Sequence, residues 1–177
     1  MQRKAPKIGF ILLAGLITVF LYILLHELGH TVVMLSAGAT ITEFSIISAH
    51  VSGTGGNYTD LSDLWLHANG ALLPVIVALI YALLYKKDAK SVFYHLFSYV
   101  FLLIPIGSLF AWVIIPFLYL QGNAPAGDDV TNFLYNFSQN HHPLLVSAAA
   151  AFLIAAGVTA MVKRGIFRNF ISAIRNQ

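Results

Sequence analysis

The sequence predicts an all-α membrane protein: about four transmembrane helices, a short strand or hairpin loop after the first, and a short helix before the last. Three observations predict it. Of the 177 residues, 58% are hydrophobic and only 10% charged, against about 25% charged in soluble domains. Four apolar segments are each long enough to cross the hydrocarbon core, which takes about 20 helical residues. With four crossings, all ten Lys and Arg residues fall on one side, as the cytoplasmic bias of basic residues requires. Too little polar sequence is left for a soluble domain, so residues 1–177 are expected to form a single integral membrane domain.

The first span covers about 8–37. Arg3, Lys4 and Lys7 precede it in the manner of a signal peptide. The apolar run, however, exceeds the roughly 7–15 residues of a signal-peptide core, and no small-residue cleavage site closes it. It is expected to remain as a permanent span, with Pro6 suited to its start. Residues 40–52 (TITEFSIISAHVS) are rich in β-branched and aromatic side chains, and Gly53, Gly55 and Gly56 follow. This pattern predicts one or two short strands ending in a Gly-rich turn. The second span covers about 64–85, and Lys86, Lys87 and Lys90 link it to the third, about 92–120. Pro105 and Gly107 should kink or break that third helix, and neither half is long enough to cross alone, so it counts as one crossing.

Gly122, Pro125 and Gly127 then mark a loop, and Asp128 and Asp129 open a stretch, 130–137, with helical spacing; an acidic residue suits a helix N-terminus. The fourth span covers about 144–162. The tail 166–177 alternates apolar and basic positions and is expected to lie on the cytoplasmic surface. Several of the aromatics, which include Trp65, Tyr81, Tyr85, Trp112 and Tyr119, lie near span ends and read as interfacial anchors. Both termini are expected in the cytoplasm, because the outer loops, 38–63 and 121–143, contain no Lys or Arg. The absence of cysteine excludes disulfides and thiolate metal ligands. The few, scattered basic residues give no surface for nucleic acid.

Chemistry is concentrated in His26-Glu27-Leu28-Gly29-His30. Histidines four apart share one helical face, where two imidazoles can hold one Zn²⁺ per chain. Glu27 faces the same space and suits a general base toward water whose pKa the zinc lowers to about 7. Three ionisable groups on one turn of an apolar helix, each costing at least ~2.5 kcal/mol near the bilayer centre, need a compensating partner. A divalent cation supplies one; a buried structural His–Glu pair is the alternative. The motif lies in the outer half of the first span.

A catalytic zinc needs a third protein ligand and an open position. A third histidine six residues on would fall at Ser36, and the only Glu after Glu27 is Glu43, in the strand-like loop. Asp88 lies among lysines on the opposite side. His141 and His142 sit at the start of the last span. Asp128 and Asp129, opening a helix on the motif's own side, are the best candidates.

HELGH in an early span, a strand-like Gly-rich loop, a span carrying Asn, and a late Asp opening a helix together resemble the site-2 protease family of intramembrane zinc metalloproteases. The resemblance covers most of the chain in order of elements, and HELGH is its specific part. It implies that His26, His30 and a late Asp hold zinc, that Glu27 is the base, and that the substrate is a transmembrane protein cleaved in or beside its membrane helix. The family's Leu-Asp-Gly is absent; the text here is Asn123-Ala124-Pro125-Ala126-Gly127-Asp128-Asp129-Val130. Val130 and Phe133 match the apolar spacing of the family's ligand helix when Asp129 is the ligand and Asp128 the cap, with the reverse assignment as alternative. The second span holds Asn69-Gly70 and Pro74, a loose match, in a different order, to the family's Gly-Pro and Asn motif, whose Asn lies near the reacting carbonyl; Asn69 is thus a candidate oxyanion donor or else part of an Asn-Gly packing step.

Segment 40–52 could hold an extended substrate along a strand edge or simply cover the site. His50 is not expected to be a ligand, and His67 reads as interfacial. Two other functions compete. A metal transporter or sensor would also place His and acids in the membrane, though ligands on both sides would then be expected. A non-catalytic binder of membrane helices would have no use for Glu27.

Overall fold

The computed structural model describes residues 5–175. No proline interrupts the chain between Lys7 and Ser36, and one helix, α1, runs from Ala5 to Ser36. At about 1.5 Å per residue its 32 residues reach well beyond the roughly 30 Å of a hydrocarbon core. It ends where Gly38 takes a positive φ of 82° and its N–H reaches back to the Leu35 carbonyl at 3.0 Å, a glycine stop of the usual left-handed kind.

Strands β1 (Ala39–Ser45) and β2 (His50–Gly55) then pair antiparallel, in register from Ala39↔Gly55 to Ser45↔His50, with a bulge between Ile41 and Glu43. The glycines divide: Gly55 and Gly56, with φ of 74° and 84°, take left-handed conformations where β2 ends, as expected, whereas Gly53 has another role. The chain reverses at 46–49, with Ala49 at φ 47°, while Gly53 and Gly55 lie inside β2. A Cβ on Gly53 would sit 3.0 Å from the Thr40 carbonyl oxygen, so close strand approach, and not a turn, explains that glycine.

Helix α2 spans Asp60–Leu84, beginning four residues before the expected 64. The reason is local: the Thr59 N–H donates to Ser62 Oγ at 2.7 Å and the Ser62 N–H to Thr59 Oγ1 at 3.2 Å, a reciprocal cap. Asp60 and Asp63 lie in the first turn, where the helix dipole favours them. Helix α3 (Val92–Leu120) runs unbroken through Pro105, Gly107 and Pro116, so of the expected kink or break the break is absent. Both prolines are fully buried among neighbouring helices, and packing of this kind lets a membrane-type helix accommodate the missing donors. Helices α4 (Asp129–Phe137), α5 (Leu144–Lys163) and α6 (Ile166–Arg175) follow. Residues 1–4 and 176–177, which include the basic Arg3 and Lys4 and the end of the tail, lie outside the described residues.

Among the described residues, α1, α2, α3 and α5 are each long and apolar enough to cross a membrane. α1 packs on α2 and α3, α5 on α3, and α4 on α2 and α3. One apolar cluster joins α2 to α5 through Val75, Leu109, Trp112, Leu134 and Val146; another joins α2, α3, α5 and α6 through Ala82, Leu102, Ile106, Met161 and Ile166. Small residues fill the contacts, including Ala14, Ala71, Ala78 and Gly157, as membrane-type helix packing favours. The aromatics differ in exposure. Trp112 and Tyr85 are buried, the former against Phe133, and the Tyr81 hydroxyl pairs with Ser98 Oγ at 2.7 Å. Trp65, by contrast, is half exposed.

Candidate metal centre

Two glycines set the crossing of α1 and α2. A Cβ on Gly29 would collide with the Asn69 carbonyl oxygen, and one on Gly70 would lie 2.5 Å from His30 Nε2 and 2.8 Å from His26 Cε1. The helices therefore touch backbone to backbone at Gly29, and the two imidazoles rest against the backbone of α2 at Gly70. Asn69 strengthens the crossing: its Nδ2–H donates to the Gly29 carbonyl at 2.8 Å. Because the atom opposing Gly29 belongs to the backbone, Gly29→Ala is expected to separate the helices and weaken the Asn69 hydrogen bond. Overpacking of this kind costs about 1–3 kcal/mol, so thermal unfolding in detergent should fall by several degrees; an unchanged melting curve would contradict the contact.

On the far side of this crossing is a cleft of about 490 Å³, lined by His26, Glu27, His30, His67 and Asp129 and closed on one side by Ala49, His50 and Val51 of the hairpin. Three ligand-type atoms converge in it. His26 Nε2 and His30 Nε2 are 3.1 Å apart, and Asp129 Oδ2 lies 3.2 Å from the first and 3.3 Å from the second. In a tetrahedral site with metal–ligand bonds of about 2.0–2.1 Å, ligand atoms stand about 3.3 Å apart, so this donor set fits zinc. His30 is also held as metal-binding histidines usually are: its Nδ1–H donates to the Leu66 carbonyl at 2.8 Å, which turns Nε2 toward Asp129 Oδ2. His26 Nδ1 is buried without a protein partner.

Glu27 is 4% exposed and borders the same cleft, one residue from His26. The two acids opening α4 have separate positions. Asp128 is the cap, its Oδ1 accepting from the Val130 and Thr131 N–H groups at 2.8 and 3.3 Å. Asp129, the first helical residue, turns into the cleft. Burial pushes the Asp129 carboxyl up, but the imidazoles of His26 and His30, with His67 behind them, outweigh it and hold the group far below the ordinary carboxylate range. No family model, curated protein or solved structure matches this chain.

Asn69, the candidate oxyanion donor, is tied to α1 and is not among the residues lining the cleft. Its geometry is that of the packing alternative. His141 and His142, which precede α5, and Glu43, in β1, do not line the cleft either. His50 does, in the hairpin wall. His67, read from sequence as interfacial, borders the cleft with Nδ1 3.7 Å from Asp129 Oδ1. The signal that could have found it is the Asp63–His67 pair, one turn apart at the start of a span.

Proposed function

We propose that this chain is a multi-pass intramembrane zinc metalloprotease of the site-2 protease kind, hydrolysing peptide bonds in or beside transmembrane segments of membrane proteins. The observation that carries the proposal is the convergence of His26, His30 and Asp129 beside buried Glu27. Membrane insertion is supported by the exposed apolar face of α1, including Leu12, Leu16 and Phe20, which is far larger than a protein in water ordinarily tolerates. The distribution of basic residues puts both termini in the cytoplasm and the cleft in the outer half of the membrane.

His26, His30 and Asp129 would hold the metal, which supplies a Lewis acid and a lowered pKa for water. Glu27 accepts a proton from the attacking water and returns it to the leaving nitrogen as the peptide bond breaks. The burial of Glu27 strengthens each of its interactions. The unpaired edge of β2, at the cleft wall, holds the substrate extended, because a helical backbone hides its carbonyls behind its own hydrogen bonds.

The test uses the full chain in detergent, zinc content by elemental analysis, and a panel of single-span membrane protein substrates. Glu27→Gln is expected to lower cleavage by about 10²–10⁴-fold with zinc content unchanged. Normal cleavage by Glu27→Gln overturns the mechanism. Zinc flux across vesicles, with no cleavage of any substrate by the wild type, would make the chain a carrier instead.

A further inference from the structure

We propose that His67 is the positioning residue for Asp129, the outer strut of the metal centre; this rests on the zinc reading of the cleft. A carboxylate that holds a metal through one oxygen must be kept from rotating. Asp129 Oδ2 faces His26 and His30, which leaves Oδ1 as the other handle on the group. Oδ1 faces His67 Nδ1 at 3.7 Å, and the second ring nitrogen of His67, Nε2, faces Asp63 Oδ1 at 3.9 Å. The other oxygen of Asp63 accepts a hydrogen bond from Asn136 Nδ2. Asn136, Asp63, His67 and Asp129 thus form one polar chain that leaves the end of α4, runs along a turn of α2 and returns to the start of α4.

The chain has a mechanical reason. α4 has nine residues, too few to be stable alone, and a loop of glycine and proline precedes it. Apolar packing of Val130 and Leu134 presses it inward but does not fix the torsion of the Asp129 side chain. The Asn136 bond pins one end of the helix to α2, and His67 engages the other end at the carboxylate itself. The separations of 3.7 and 3.9 Å lie within electrostatic contact range and are longer than direct hydrogen bonds. Partners of metal ligands act in this way, and losing one typically weakens metal binding about 10–100-fold.

The experiment measures zinc affinity by competition with a chelator, on full-length protein in detergent, with thermal unfolding of the metal-free protein alongside. His67→Ala is expected to weaken zinc about 10–100-fold while metal-free unfolding stays at the wild-type temperature. His67→Asn, whose amide nitrogen takes the place of Nδ1 and keeps an N–H near Asp129 Oδ1, is expected to recover most of that loss. Asp63→Asn, one step further out, is expected to weaken zinc several-fold and serves if His67→Ala does not fold. Zinc affinity within about twofold of wild type in His67→Ala and Asp63→Asn overturns the proposal, as does equal weakening by His67→Asn and His67→Ala. The zinc reading fails separately: if the wild type binds no zinc, or His30→Ala binds it as tightly as the wild type, the metal centre itself is wrong.

Discussion

Asp129→Ala is expected to strip the protein of zinc, whereas Asp128→Ala is expected to leave it bound. The two residues are adjacent and chemically identical, so only their positions separate them. Asp129 Oδ2 is one of three atoms converging at 3.1–3.3 Å, and without it two imidazoles remain to hold the ion. The loss should exceed the roughly 10–100-fold typical of partners outside the ligand set, enough to leave purified protein empty after dialysis against a mild chelator. Asp128 acts on the backbone, accepting from two N–H groups at the start of α4. Its removal costs about 1 kcal/mol of helix stability. Fraying there could weaken zinc by at most about that amount, under a factor of about ten. Zinc content, chelator competition and thermal unfolding distinguish the cases. The opposite pattern, with Asp128→Ala empty and Asp129→Ala loaded, would exchange the roles assigned to the pair.

That contrast marks where the sequence is legible and where it is not. The spans of about 8–37, 64–85, 92–120 and 144–162 differ from the helices by a few residues, because about twenty apolar residues are a strong local signal. Their ends depend on caps: α2 gains a turn from the Thr59–Ser62 exchange. The unbroken course of α3 is not legible, since Pro105 breaks a helix or not according to what packs against it. His26, Glu27 and His30 are recognisable because a spacing of four is a property of one helix. The third candidate ligand emerges from eliminating other acids and from the family resemblance, and the choice of Asp129 over Asp128 needs the direction of two side chains. The positions of His67 and Asn69 escape the sequence for a common reason. Each is defined by a contact between distant segments, α2 with α4 for the first and α2 with α1 for the second, and nothing local in the chain announces either. The glycines carry the same lesson: Gly29 and Gly70 are ordinary letters, explained only by what lies opposite them.

Gly70→Ala is expected to destroy the metal centre while leaving the fold largely intact, a separation that Gly29→Ala should not show. At Gly70 the new Cβ would meet His30 Nε2 at 2.5 Å and His26 Cε1 at 2.8 Å. Both are tips of side chains, which can swing away at small cost in packing. At Gly29 the opposing atoms are backbone, and the helices themselves must part. Relief at Gly70 requires ring displacements of several tenths of an ångström, and the His30 ring can move only by straining its 2.8 Å bond to the Leu66 carbonyl. Metal sites tolerate about ±0.2 Å in their ligand distances, so that displacement removes two ligands from position together. Zinc affinity and proteolysis should both collapse in Gly70→Ala, with thermal unfolding of the metal-free protein within a few degrees of wild type. Gly107→Ala, with nothing within 4 Å of the added carbon, is the matched control. Its zinc binding should be unchanged, and its stability equal or up to about 1 kcal/mol higher, because alanine favours a helix interior over glycine. Tight zinc binding by Gly70→Ala would mean that the imidazoles do not rest on α2, and the convergence of His26, His30 and Asp129 would lose its floor.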